Sequence, residues 1–190
     1  MRIVAGRHKG RRLESPGGQG TRPTSDRARE SIFNVIQHGL ADWQGSLEDA
    51  SVVDVFSGTG ALGLEALSRG ARHATFIDNA GPALAMVKKN AAHLGVWKEV
   101  TMLKLDATRL APPPLAAKAP CAVAFLDAPY EKELTTPALN GLARQGWIGP
   151  GSLCVVEVAA DEALVAGPGF AQLDERAYGA AKVVFLQYRA

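Results

Sequence analysis

The residues Ser51 to Gly63, SVVDVFSGTGALG, constrain this 190-residue chain more than any other stretch. Val52, Val53, Val55 and Phe56 make a short apolar run rich in β-formers, with one acid, Asp54, inside it. Glycines follow at 58, 60 and 63, and LEALSRG then reads as helix. A buried strand, a glycine turn and a helix N-terminus together form a cradle for a nucleotide-like ligand. Two ligand classes fit such a turn. Gly58, Gly60 and Gly63 satisfy G-x-G-x-x-G, the pattern of a dinucleotide site and hydride transfer. Asp54, four residues before the first glycine, favours the other class. A carboxylate there repels a pyrophosphate and suits a ligand with a cationic amino-acid end, such as S-adenosylmethionine.

From Ser51 onward strand and helix patterns alternate. Strands are expected at Val52–Phe56, His73–Ile77, Val100–Leu105, Ala122–Leu126 and Ser152–Val158, and helices up to Arg69, over Pro82–Leu94 and over Leu134–Gln145. Two further strands, Phe170–Tyr178 and Lys182–Tyr188, turn at Gly179-Ala180. This order predicts an α/β fold with a doubly wound, mostly parallel sheet ending in a hairpin. Before it, Arg2–Ala5 and Arg11–Glu14 read as a small hairpin, Ser15–Gly20 as a linker, and Thr24 or Ser25 as the cap of a helix with Ile32, Phe33, Val35, Ile36 and Leu40 on its apolar face. We therefore divide the chain into a basic extension, residues 1–20, and a main domain, residues 21–190.

Charge separates the same two parts. The net charge is +2, but the first 30 residues hold eight basic side chains and three acids, which leaves the remainder mildly acidic. A basic segment on an acidic domain points to a polyanionic partner. Arg7, Lys9, Arg11, Arg12 and Arg22 are the candidate contacts to that polyanion. No apolar run approaches the ~20 residues that span a bilayer, and the N-terminus lacks an apolar signal core. The expectation is a cytoplasmic monomer without membrane partner or metal. Cys121 and Cys154 read as buried free thiols.

Ligands of open α/β sheets bind beyond the carboxyl ends of the strands. An acid stands near the end of each of the first four strands of the alternation: Asp54, Asp78, Asp106 and Asp127. Asp54 can order the glycine turn beside a donor's ammonium. Asp78, 24 residues on, stands where an acid takes ribose hydroxyls. Asp106 can accept from an adenine amine while the Ala107 N–H donates to the ring; a helix cap is the competing role for Asp106. The cofactor-binding set is then Asp54, Phe56, Gly58, Thr59, Gly60, Asp78, Asn79, Asp106 and Ala107. Asp127-Ala128-Pro129-Tyr130 is the candidate catalytic set. A nucleobase amine is a poor nucleophile because its lone pair is delocalised into the ring. A carboxylate and a backbone carbonyl that accept both amine hydrogens would turn that lone pair toward a methyl group. Pro129 stiffens the turn, and Tyr130 can stack on an everted base.

With these residues in view the sequence resembles the RsmD family, bacterial methyltransferases that modify the N2 amine of guanine 966 in 16S ribosomal RNA. The resemblance runs through GRHKGRRL (Gly6–Leu13), RPTSDRARESIFNVI (Arg22–Ile36), DVFSGTGALGLEALSRGA (Asp54–Ala71) and DAPY (Asp127–Tyr130). It implies S-adenosylmethionine as cofactor, a Rossmann-like methyltransferase fold with strand order 3-2-1-4-5-7-6, and ribosomal RNA, within an assembling small subunit, as partner. The family's usual D-P-P-Y is D-A-P-Y here; the carbonyl of residue 128 survives and one proline's restraint is lost. Ser57 and Thr59 stand in a loop more often written F-A-G-S-G. Other readings are a DNA adenine- or cytosine-amine methyltransferase, a nicotinamide dehydrogenase, and an RNA-binding assembly factor without catalysis.

Overall fold

The computed structural model describes residues 1–15, 25–129 and 133–190. Arg22, Thr24, Tyr130 and most of the Ser15–Gly20 linker lie outside the described residues. Among those described, the alternation becomes seven strands: β1 (Ser51–Val55), β2 (His73–Asp78), β3 (Val100–Lys104), β4 (Cys121–Asp127), β5 (Ile148–Ala159), β6 (Phe170–Tyr178) and β7 (Ala181–Tyr188). They form one sheet in the order 3-2-1-4-5-7-6, as expected. Neighbours from β3 to β5 run parallel, while β7 lies antiparallel to both β5 and β6. The helices are α1 (Asp26–Asn34, continued by a π-helical turn at Val35–Gly39), α2 (Ala61–Ser68), α3 (Gly81–Leu94) and α4 (Thr135–Arg144).

Two apolar layers follow from the alternating side chains of the strands. On one face Ile32 and Phe33 of α1, Leu64 and Leu67 of α2, and Val87, Ala91 and Leu94 of α3 pack with Val52, Phe76, Phe125 and Val155. On the other, Ala138, Leu139 and Leu142 of α4 pack with Val53, Ile77, Leu126 and Val156. The central strand β1 is buried along its whole length, which explains its unbroken apolar reading apart from Asp54. Both cysteines are buried and unbridged, and burial pushes each thiol up to about 12.

Two elements depart from the sequence expectation. Strand β5 begins at Ile148, four residues early. Gly149-Pro150-Gly151 reads as a break, yet the pairing of Cys121 with Ile148 carries the segment into the sheet, with an irregularity in register before Val123. The N-terminal hairpin forms but is short: one antiparallel bridge, Arg2 with Arg12, and the bonds from Ile3 N–H to the Arg11 carbonyl at 2.9 Å, Gly10 N–H to the Ile3 carbonyl at 2.9 Å and Leu13 N–H to the Met1 carbonyl at 3.1 Å join its arms around a 3-10 turn at Gly6–His8. The reason lies in α2. The N–H groups of Val4 and Ala5 donate to the Glu65 carboxylate at 2.8 and 2.9 Å, so that Ala5 bonds α2 rather than the returning arm. Ser68 Oγ donates to the Ala5 carbonyl at 2.5 Å and accepts from His8 N–H at 3.0 Å. Ile3 and Leu13 enter the core, so residues 1–15 are packed onto the body.

Glu65 itself is wholly buried, with Arg69 Nε at 2.8 Å and Arg29 Nε at 3.7 Å. Arg29, also wholly buried, bonds Asp26 at 2.8 Å and the Arg2 carbonyl, and Arg69 lies 4.9 Å over the Phe33 ring. One carboxylate thus joins the N-terminal segment, α1 and α2. Glu65→Ala leaves two buried guanidinium groups without their shared anion, so urea unfolding should show a loss of about 3 kcal/mol; a loss below about 1 kcal/mol would contradict this joint.

Candidate active site

The order of the sheet reverses between β1 and β4, and the crevice beyond their carboxyl ends is where such sheets bind ligands. Register fixes what meets there. Val55 pairs with Ile77 of β2 and Leu126 of β4. One step further, Asp78 and Asp127 therefore flank Phe56 from its two sides. Phe56 has φ +59, a left-handed conformation costly for an aromatic residue. Such strain, about 1–3 kcal/mol per residue, is held where surrounding structure over-determines it and gathers at ligand sites.

The turn that follows is held by backbone bonds and by two of these acids. Ser57 N–H donates to the Ile77 carbonyl at 3.1 Å, and Gly60 N–H to the Ser57 carbonyl at 2.7 Å. Gly58 N–H donates to Asp78 Oδ2 at 3.0 Å, while Asp78 Oδ1 takes Ala80 N–H at 2.9 Å. Gly63 N–H donates to Asp54 Oδ2 at 2.8 Å. Gly60 caps α2 at φ +76, which L side chains rarely adopt. Gly63 is required by close approach: a Cβ would lie 2.5 Å from Phe76 and 3.2 Å from the Asp54 carboxylate.

Asn90 supplies a tie that sequence reasoning missed. It is almost wholly buried on the apolar face of α3. Its Nδ2 donates to the Thr59 carbonyl at 3.0 Å and to the Glu14 carbonyl at 3.1 Å, and its Oδ1 accepts Glu14 N–H at 2.7 Å. One amide thus holds the glycine turn and the N-terminal segment together. The signal was an amide between Val87 and Ala91 on a face that otherwise reads apolar.

The structure brings together Asp54, Asp78 and Asp127. Asp54 is 2% exposed. Burial drives its carboxyl well above the usual range, and the charges of Asp127 and Asp78 add to the effect. Asp127 ends β4, opposite Glu157 of β5. Burial, and then the Glu157 charge, push its carboxyl up to about 7. Glu157 is a second residue sequence reasoning missed, although it breaks an apolar strand just as Asp54 does. Asp106 lies on the same edge but is exposed and caps its own 3-10 turn, taking Thr108 N–H at 2.9 Å and Thr108 Oγ1 at 2.7 Å. These bonds hold its carboxyl below the usual range. Ala107 is buried, as is Ala128, whereas Asn79 and Pro129 are exposed.

The basic residues divide into two groups. Arg7 is ion-paired with Glu99, and Arg11 Nη2 donates to the His93 carbonyl at 2.7 Å. Lys9 and Arg12 are exposed, and among the described residues neither has an ion pair.

Carboxylates crowded at one edge, with the proton affinity of Asp54 and Asp127 raised, repel an anionic ligand and favour a cationic one. The buried Ser57 Oγ, which has no hydrogen-bond partner among the described residues, leaves a polar atom at the glycine turn that a ligand could satisfy. The set fits a donor with ammonium and sulfonium charges and opposes a pyrophosphate. When bound, S-adenosylmethionine would supply an electrophilic methyl group here, held by Asp54, Asp78 and the turn at Phe56–Gly60.

Comparison with known proteins agrees with this chemistry. The family model described as "Conserved hypothetical protein 95" matches residues 1–187. The chain is 34% identical over 169 residues to ribosomal RNA small subunit methyltransferase D of Escherichia coli K12, covering 88% of this chain and 79% of that protein. It is 30% identical over 183 residues to the Haemophilus influenzae protein of the same name, covering 94% and 89%. Among solved structures, "Putative methyltransferase yhhF" from E. coli superposes with a TM-score of 0.81 at 29% identity, covering 100% of this chain and 98% of that one. The chain belongs to the RsmD family of methyltransferases, with the Rossmann-like fold of that class.

Proposed function

We propose that this protein transfers a methyl group from S-adenosylmethionine to the exocyclic N2 amine of guanine 966 in 16S ribosomal RNA. The observation that carries the reading is the register that sets Asp127 beside the strained Phe56 turn, one strand from Asp54. The names of the relatives support ribosomal RNA of the small subunit as substrate. In this reading Asp127 and the Ala128 carbonyl accept the two amine hydrogens, which aims the nitrogen lone pair at the methyl group. Tyr130 stacks on the everted guanine. Asp54 and Asp78 hold the donor's cationic end and ribose. Positioning and electrostatics then supply most of the acceleration.

The test is labelled methyl transfer to small subunits that lack the modification, with mapping of the labelled base. Wild-type protein should label guanine 966. Asp127→Asn should lower the rate by about 10²–10⁴-fold, the usual worth of a positioned acid–base group, with S-adenosylmethionine affinity little changed. Near-wild-type turnover by that variant, or label on another base, would overturn the assignment.

Lys9 and Arg12 are the N-terminal cations best placed to meet RNA phosphates, since Arg7 and Arg11 are engaged by the body. Replacing both by Ala should weaken RNA binding uniformly across sequences and lower the slope of log affinity against log salt by roughly 1.5 to 2. An unchanged slope would reject their contact with RNA.

A further inference from the structure

We propose that Glu157 is a positioning residue for Asp127: facing it from the next strand, it keeps Asp127 able to take the proton that the guanine amine sheds on methylation. This rests on the amine reading above.

Asp127 and Glu157 are partners in the parallel β4–β5 pairing, so their side chains leave the sheet on one face. Two residues back on that face stand Phe125 and Val155, both in the apolar layer, with Phe33 of α1 5.5 Å from Phe125. The two acids are thus the last pair on an otherwise apolar row. Like charges placed opposite each other on neighbouring strands are destabilising, and a hydrophobic pair would fit the row better. Among the described residues, the other charged groups around Asp127 do not reverse its setting. Asp54 approaches from β1, with Asp78 beyond it. On the far side β7 places Val183 beside Glu157, and Arg176 of β6, next in the row, is held by Asp174 at 2.8 Å.

The chemistry needs such a setting. As the amine nitrogen forms its bond to the methyl carbon, the carbon–sulfur electron pair stays with sulfur. The nitrogen then carries one bond too many for neutrality and loses an N–H proton to an Asp127 oxygen. A carboxylate titrating near 4 is a weak base at neutral pH, whereas burial and the Glu157 charge bring Asp127 up to about 7. A proton acceptor works best when its pKa lies near the working pH.

The test begins on the ligand-free protein, by carbon-13 carboxyl NMR titration, with the Asp127 resonance assigned by its loss in Asp127→Asn. Wild-type Asp127 should titrate near 7, Glu157→Gln should bring the midpoint down by about one unit, and Glu157→Asp, which keeps the charge, should hold it. The acidic limb of single-turnover methylation should move with it, so that at pH 6 Glu157→Gln retains about fivefold more of its own plateau rate than wild type. A midpoint that stays in place in Glu157→Gln overturns the proposal, as does a limb that stays while the midpoint falls. Should Asp127→Asn still methylate at full rate, the amine reading itself fails, and the titration separates that result from a failure of Glu157. Should Glu157→Gln not fold, Glu157→Asp carries the test: a wild-type midpoint and limb support the charge role, and loss of both overturns it.

Discussion

Mutual repulsion among carboxylates at one edge of a parallel sheet is the constraint from which the rest of this structure follows. Asp54, Asp78 and Asp127 come from three adjacent strands and meet because β1 pairs with β2 on one side and β4 on the other in a common register. Folding alone relieves only part of that charge. Gly58 and Gly63 each give a backbone N–H to one of these acids, and burial raises the proton affinity of Asp54. The remaining imbalance favours a cation at the crevice, which is why a sulfonium donor suits a turn that also satisfies the dinucleotide pattern.

The second constraint is that the turn is anchored from outside its own strand and helix. Asn90 holds the Thr59 carbonyl and the backbone of Glu14 with a single amide. Glu65 holds Val4 and Ala5 at the other end of the same N-terminal segment. Helix α2 therefore begins at the ligand turn and ends on the segment that carries Lys9 and Arg12. In the proposed reaction this gives RNA and donor one rigid frame, so that a base held by one is placed for the other.

What the sequence made legible was whatever depends on local pattern. The alternation of buried strands and amphipathic helices gave a mostly parallel sheet ending in a hairpin, the family resemblance gave its strand order, and the placement of Asp78 and Asp127 at strand ends pointed to the carboxyl edge. What it hid depends on which strand lies beside which. Glu157 gains its meaning only because β5 pairs with β4. Asn90 gains its own because α3 lies under the turn. The hairpin expected at residues 2–14 is paired on its first arm only as far as Ile3 because Glu65, 60 residues away in sequence, took the N–H of Ala5. The early start of β5 was hidden by Gly149-Pro150-Gly151, which stand in the bulge between the Cys121–Ile148 and Val123–Leu153 pairs, with Gly151 at φ +89, so that a local break sits inside a continuing strand.

The central claim is that these acids await a cation, and calorimetry of S-adenosylmethionine binding near pH 7 in buffers of different ionisation enthalpy tests it most directly. Asp54, whose proton affinity is raised in the free protein by burial and then by neighbouring carboxylates, loses part of it when a positive ligand arrives, so binding should release protons and tighten as pH rises. S-adenosylhomocysteine, which lacks the sulfonium charge, should release fewer. Proton uptake, or an apparent enthalpy that does not vary with buffer, would contradict the account.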